Sequence, residues 1–430
     1  MFCILDAPMR VLVLTSSTGG GHNMRARAFQ EWAQAEPCFD LSVQLHRPLE
    51  KSHPVYAFGV WLYNWIQRTA PYLHHAYFNF LEVVPIVRTR KPLGAAKYRQ
   101  VLTELRPDVL ISVHDSLNHG FFEYAREVLG KDRVKCITYC GELSGGYGFS
   151  RHWVNPSADL FIGAVPGTCQ AAVRWGMAPE RTQVGGFLLR RFFYDPTEDD
   201  AGRAAFIREK LRLDPAEFIL LLNASSRGAH NHVRFLEALR RRGVDAQVVL
   251  LCGKSPIAEC EVSEWAKANP SARIRLLPHN TNVGQLMRSV SAIVARPGTG
   301  TTSEAIVSGC PLLLNSLGGI MPQERITVKF CRDHGVAQLV RSPEELAGIV
   351  TEWRKRPELP AAIRRAMQRT CPPLRPSDIV RMIAGLGVRA DSISEGRIPV
   401  LEAARAARPA VPAAPGIRLP QPQPVADSVS

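Results

Sequence analysis

The sequence predicts an α/β fold of two Rossmann-like, doubly wound domains, and three observations carry that reading. Short all-apolar runs recur along the chain, each about the length of a buried strand. Helix-compatible segments follow them in alternation, the pattern of right-handed crossover units and parallel sheets. A charged, strand-poor stretch splits the runs into two series, and 430 residues suit two domains of ordinary size.

The first series is Arg10 to Ser17, Val109 to Val113, Val134 to Cys140 and Leu160 to Ala164. The second is Phe218 to Ala224, Ala246 to Gly253, Ile274 to Pro278, Ala292 to Arg296 and Pro311 to Asn315. Between them YDPTEDDAGRAAFIREKLRLDPAE begins with Asp195-Pro196, which sets the expected boundary near residue 195. The expected units are an N-terminal domain over 9–195, a C-terminal domain over 196–372 and a helix within 373–392 placed to pack back on the first domain. The Pro- and Ala-rich segment 393–430 has too few large apolar groups for a core and reads as a disordered tail.

Composition excludes several classes. Hydrophobic residues at 46% and charged residues at 21% are those of a globular chain. No apolar run approaches the roughly 18 to 20 residues of a spanning helix. The N-terminus MFCILDAPMR lacks a basic region before an apolar core, so it does not read as a secretory signal. The ten cysteines form no CxxC pair and no zinc-site spacing, which suits a reducing cytoplasm without disulfides or a structural metal. The net charge of +14 favours an anionic partner. No zinc-finger, homeodomain or ribonucleoprotein motif accompanies it, so a phosphorylated substrate or an acidic lipid surface is expected rather than nucleic acid.

One stretch breaks the pattern. Residues 54–85 are crowded with aromatic rings, and Phe58, Trp61, Leu62 and Trp65 fall at helical spacings of three and four. Arg88, Arg90, Lys91, Lys97 and Arg99 follow at once. Rings beside cations describe a helix lying in a membrane interface above anionic lipids. The same periodicity also fits an aromatic core helix or a dimer interface.

Three small-residue turns carry candidate chemistry. Thr18-Gly19-Gly20-Gly21-His22 follows the first strand and opens a helix, so backbone amides approach a ligand closely and the helix end favours an anion. The spacing is not G-x-G-x-x-G, and His22 at its rim is either a general base or a structural histidine. Arg296-Pro297-Gly298-Thr299-Gly300-Thr301-Thr302-Ser303-Glu304 makes a diphosphate cradle of amides and hydroxyls without a Walker lysine. Glu304 suits ribose hydroxyls or simply favours the helix dipole. Ala224-Ser225-Ser226-Arg227-Gly228 is a third such turn, with an arginine suited to phosphate.

With these turns in place, LTSSTGGGHNMRARA, RPDVLISVHDSLNH, VVLLCGK and RPGTGTTSEAIVSGCPLLLN followed by Met321-Pro322-Gln323-Glu324 occur in order from about residue 10 to about residue 345. The pattern resembles the glycosyltransferase family that contains plant monogalactosyldiacylglycerol synthases, bacterial processive diacylglycerol glucosyltransferases and, more remotely, the peptidoglycan lipid-intermediate N-acetylglucosaminyltransferase. The resemblance implies the GT-B arrangement, two Rossmann-like domains facing a cleft, with an acceptor- and membrane-binding N-terminal domain and a nucleotide-sugar-binding C-terminal one. It implies an inverting, metal-independent transfer of a hexose from a UDP-sugar, which is a substrate, with no cofactor, to a lipid hydroxyl. The enzyme would be cytoplasmic and peripheral on the inner face of the cell membrane, held by Phe58, Trp61, Trp65, Arg88, Arg90 and Lys91.

Residue by residue, the resemblance assigns the diphosphate to Ser226, Arg227, Gly228 and to Gly298, Thr299, Gly300, Thr301, Thr302 and Ser303. Glu304 would meet the ribose, Gln323 and Glu324 the sugar hydroxyls, and the turn at 279–283 the uracil. Gly20, Gly21, His114 and His119 lie on the acceptor side. His22 is a candidate base, and Glu142, where relatives usually carry an aspartate, is its rival. The chain departs from the family in Asn223-Ala224-Ser225-Ser226, which replaces several glycines, and in the longer LNSLGGIMPQE loop. A non-hydrolysing nucleotide-sugar epimerase and an inert nucleotide-sugar-binding protein are the alternatives, and the stretch at 54–99 speaks against the first of them.

Overall fold

The computed structural model describes residues 8–69, 73–83, 89–195, 199–223, 231–278 and 281–387. Strands β1 (Met9–Leu14), β2 (Leu41–His46), β3 (Val109–Ser112), β4 (Lys135–Cys140), β5 (Leu160–Gly163) and β6 (Thr182–Val184) form one sheet in the order β2-β1-β3-β4-β5-β6. Strands β7 (Ile219–Asn223), β8 (Gln247–Leu251), β9 (Ile274–Leu277), β10 (Ala292–Ala295), β11 (Leu312–Asn315) and β12 (Ala337–Val340) form a second, in the order β12-β11-β10-β7-β8-β9. Both sheets are parallel throughout.

Successive strand residues point to opposite faces, and each face here is covered, which is why the strands read as unbroken apolar runs. Val11, Val13, Val109 and Ile111 enter the core on one side of the first sheet, Leu12, Leu14 and Leu110 the core on the other. In the second sheet Leu221, Val249 and Ile293 are divided in the same way from Leu220, Leu222, Val248 and Val294. All nine apolar runs form strands. The three strands that the runs did not announce, β2, β6 and β12, lie at sheet edges, where half-exposed sequences such as LSVQLH and TQV suffice.

Six helices bear on the site: α1 (Gly21–Ala35), α2 (Pro54–Thr69), α3 (His74–Val83), α4 (Thr299–Ser308), α5 (Pro322–His334) and α6 (Pro376–Gly387). Helix α6 follows the second sheet in sequence yet places Ile379, Val380, Ile383 and Ala384 in the core of the first, beside residues of α1. The lobes meet directly at the start of α5. His75 Nε2 lies 3.0 Å from the Ile320 carbonyl, and the Gln323 amide donates to the Tyr63 hydroxyl at 3.0 Å. Gly148, at φ +101°, lets the Pro322 carbonyl so close that a Cβ there would stand 1.9 Å from its oxygen.

Topology fixes where a ligand fits. In the first sheet the connections diverge between β1 and β3, and in the second between β7 and β10. Crevices open at the carboxyl ends of such diverging strands. The Gly19–Gly21 loop leaves β1, the His114 turn leaves β3, and the Arg296–Gly298 turn leaves β10. The expected tail at 393–430, together with Arg88, Ser226, Arg227, Gly228 and residues 279–280, lies outside the described residues.

Candidate active site

A cleft of about 400 Å³ lies between the carboxyl ends of the two sheets. The first lobe lines it with Gly19, Gly20, Gly21, His22, Arg25 and Glu142. The second contributes Gly298, Thr299, Gly300, Thr301, Ser303, Glu304, Gln323 and Glu324, with Val283 from the stretch expected to meet the uracil.

The glycine loop is held from outside by two side chains. Glu50 accepts from the Ser16 hydroxyl and the Ser17 amide. Asn64, buried on α2, accepts from the Gly19 amide at 3.1 Å and donates to the Ser17 and Val60 carbonyls. Gly19 has φ +66°, a left-handed conformation that favours glycine at the turn.

His22 sits on the first turn of α1 with Nδ1 2.7 Å from the Val113 carbonyl. A carbonyl oxygen only accepts, so Nδ1 carries the proton and Nε2 keeps its lone pair. Burial first, then the neighbouring His114 and Arg25, holds its pKa well below the usual histidine range. His22 is therefore neutral at neutral pH. Its ring packs on His114 with centroids 4.3 Å apart, and His114 in turn meets the Thr18 hydroxyl at 2.6 Å and Asp115 at 2.9 Å. Burial opposes the Asp115 charge, but His114, His22 and His152 outweigh it and hold the carboxyl well below the usual range.

Glu142 lies just beyond β4 and is 8% exposed. Burial pushes its carboxyl up to about 7 against the pull of Arg25, and Oε2 finds no hydrogen-bond partner among the described residues. Glu304, one turn into α4, is likewise pushed up to about 7 by burial, with Arg25 opposing.

The start of α4 is uncapped. Its N-cap residue is Gly298, which makes no side-chain capping bond, and the first turn holds no acid. The leading amides of a helix have no intrahelical acceptors, so those of Thr299, Gly300 and Thr301 suit an anion in the cleft. Arg296, just before them, is fully engaged. It forms an ion pair with Glu324 and donates to the Leu317 carbonyl at 2.9 Å and the Gly319 carbonyl at 2.8 Å.

Some expected site residues stand elsewhere. Thr302 is fully buried and does not line the cleft, because the helix turn rotates it into the core. His114 supports His22 from behind instead of lining the cleft. His119 is turned to the Val154 carbonyl at 3.0 Å, away from the cleft lining. Glu324, expected on sugar hydroxyls, does border the cleft but is 3% exposed and is held by Arg296 and by the Met321 amide, which donates to it at 2.9 Å. Arg25, Asn64 and Glu50 were not anticipated. Only Arg25 carried a local signal, since it lies three residues after His22 on the same face of α1.

On the outside of α2, Phe58, Trp61 and Trp65 are 58%, 53% and 39% exposed and form a stacked row. Arg90 and Lys91 are exposed as well, Lys91 standing over the Tyr124 ring. Among the described residues no helix is long and apolar enough to cross a membrane.

Residues 227–316 match the glycosyltransferase family 28 C-terminal domain. The chain is 23% identical to a processive diacylglycerol beta-glucosyltransferase of Bacillus licheniformis, over 80% of this chain and 86% of that one. It is 23% identical to the chloroplastic monogalactosyldiacylglycerol synthase of Spinacia oleracea, over 81% of this chain, and spans 66% of that protein's length. The fold superposes on Acinetobacter baumannii MurG with a TM-score of 0.57 and 16% identity, covering 88% of this chain and all of that one. A UDP-GlcNAc 2-epimerase from Neisseria meningitidis gives 0.55 at 12% identity, covering 87% and 99%. The family resemblance, the GT-B fold and the glycosyltransferase class expected from the motifs are borne out by these relatives.

Proposed function

We propose that this homologue of the diacylglycerol glycosyltransferases moves a hexose from a UDP-sugar to the hydroxyl of a diacylglycerol-like lipid, inverting the anomeric centre without a metal. The observation that carries the reading is the uncapped start of α4 in the same cleft as His22 and Glu142. The diphosphate rests on the amides of Thr299, Gly300 and Thr301, with Ser303 beside them in the cleft, and Glu304 meets the ribose. His22 Nε2 takes the proton of the acceptor hydroxyl, whose oxygen bonds to the anomeric carbon as the carbon–oxygen bond to the diphosphate breaks. Gln323 stands ready for a sugar hydroxyl, since its amide nitrogen meets the Tyr63 hydroxyl and the Met321 sulfur while its amide oxygen is left to accept among the described residues.

The exposed aromatic row of α2 with Arg90 and Lys91 supports a peripheral position on an anionic membrane, and the chemistry suits its cytoplasmic face. The fold is shared with an epimerase, so the aromatic row, and not the cleft, favours a lipid acceptor over isomerisation. A second reading makes Glu142 the base, favoured by its carboxyl near pH 7. Calorimetric titration with UDP tests the donor site. Glu304→Ala should weaken binding roughly tenfold, as for a lost hydrogen bond to a charged group. Unchanged affinity removes Glu304 from the ribose.

A further inference from the structure

We propose that Arg25 is a catalytic residue of the first lobe that grips the donor's diphosphate and carries its charge as the sugar departs. The inference rests on the nucleotide-sugar reading above and adds a residue that the motif comparison did not assign.

Arg25 is 7% exposed and lines the cleft. A buried guanidinium ordinarily has a carboxylate partner, because desolvating an unpaired charge is costly. Arg25 instead donates to two neutral oxygens, the Gly141 carbonyl at 3.2 Å and the Thr299 hydroxyl at 2.6 Å. Among the described residues no carboxylate forms an ion pair with it. Glu142 and Glu304 are near enough to feel its charge, yet burial moves both toward the protonated form. Among the described residues the other arginines lining the cleft are engaged, Arg296 by Glu324 and Arg190 by Glu31. The charge of Arg25 is thus left for an anion that enters from outside.

Its position says which anion. Thr299 is the first residue of α4, so the guanidinium already stands at the helix end whose free amides face the cleft. A diphosphate seated there meets amides from the second lobe and a planar cation from the first. The first lobe has made room for this side chain. A Cβ at Gly141 would lie 2.2 Å from Arg25 Nε and 2.3 Å from Cζ. His22 and Arg25 are three apart on one face of α1, so one helix presents both the base and the cation. In the step itself the carbon–oxygen bond to the diphosphate breaks, its electron pair stays on the phosphate oxygen, and the acceptor proton goes to the base. Arg25 balances the charge that gathers on that oxygen.

The test compares UDP with uridine, titrated by calorimetry and by ligand-observed NMR, on the full chain. Arg25→Met should raise the Kd for UDP roughly 10- to 100-fold, the range for hydrogen bonds to a charged group, and leave uridine unchanged. Arg25→Lys, which keeps the charge but not the fork, should fall between. Gly141→Ala provides a second route, because the three atoms nearest its methyl all belong to the flexible end of Arg25, so the fold should survive while the guanidinium is displaced. It should reproduce the selective loss for UDP. UDP affinity equal to the parent's in both Arg25→Met and Gly141→Ala, or an equal loss for uridine, overturns the role of Arg25. A parent protein that binds no UDP overturns the nucleotide-sugar reading itself.

Discussion

The two candidate bases predict different pH profiles, and the difference is large enough to decide between them. His22 has its proton fixed on Nδ1 by the Val113 carbonyl, and burial beside His114 and Arg25 lowers its pKa well below the usual value. As base it is already deprotonated at pH 6.5, so kcat/KM should change by less than about twofold from pH 6.5 to 8. Glu142, with a pKa raised to about 7, would be about one-tenth ionised at pH 6 and about nine-tenths at pH 8. A Glu142 base therefore gives a roughly tenfold rise across that interval. The diphosphate of a UDP-sugar is fully ionised throughout and adds no slope. The assay is UDP release with saturating lipid acceptor, for the parent, His22→Ala and Glu142→Gln. His22→Ala should lower kcat by roughly 10²- to 10⁴-fold with the Kd for UDP retained, and Glu142→Gln should keep a flat profile. A tenfold rise in the parent that vanishes in Glu142→Gln, with His22→Ala still turning over, would refute the assignment of His22.

Three further outcomes follow from the same geometry. Replacing Trp61 and Trp65 together by alanine removes rings that are 53% and 39% exposed, and binding to anionic vesicles in sedimentation should fall roughly 10- to 100-fold, since half-buried large side chains contribute about 1 kcal/mol or more each; unchanged sedimentation sinks the membrane role of α2. Arg296→Met leaves Glu324 buried without its partner and should cost about 3–5 kcal/mol in chemical denaturation. Burial already raises the Glu324 pKa despite Arg296, so its ionised form is the one folding disfavours; the loss should be greatest at alkaline pH and shrink as pH falls toward the ordinary carboxyl range, and a pH-independent loss contradicts that cause. Gly148→Ala drives a methyl into the Pro322 carbonyl at the lobe contact and should raise the donor KM while each lobe keeps its helical circular dichroism; an unchanged KM would mean that this contact does not help to close the cleft.

Much of the fold was legible because buried parallel strands leave a uniform mark. β1, β3, β4, β5, β7, β8, β10 and β11 are covered on both faces, so apolar residues follow one another with few polar interruptions, such as Arg10 in β1 and Thr138 in β4. β2 and β6 lie at edges and tolerate Ser42, Gln44, Thr182 and Gln183, which erases that mark. The lining of the cleft was legible where it sits at a strand-to-helix turn or one helix turn beyond, as with His22, Gly298 and Glu304, because clusters of small residues there have few other uses. It was not legible where the partner is remote. Asn64 reaches back 45 residues to Gly19 with nothing local to mark it, and Arg25, though three residues after His22 on one helix face, has its partner Thr299 274 residues away. His119 illustrates the converse: a histidine in a suggestive motif whose ring is taken by a nearby carbonyl.

Helix α2 links the exposed aromatic row to the cleft, because its opposite sides meet opposite environments. Phe58, Trp61 and Trp65 point outward in a stacked row, while Val60 and Asn64 are buried. Asn64 holds the backbone of Ser17 and Gly19, three to five residues before His22, and Tyr63 meets Gln323 of the other lobe. A helix is stiff across the single turn that separates Trp61 from Asn64, so a surface that fixes the rings also fixes the glycine loop. A soluble acceptor would gain nothing from that arrangement. A lipid acceptor would, since its hydroxyl sits at headgroup depth and the base must be brought to it at a set height. On the proposed reading the rings on α2 would set that height, and the Asn64 hydrogen bonds would carry it to the loop that leads into His22.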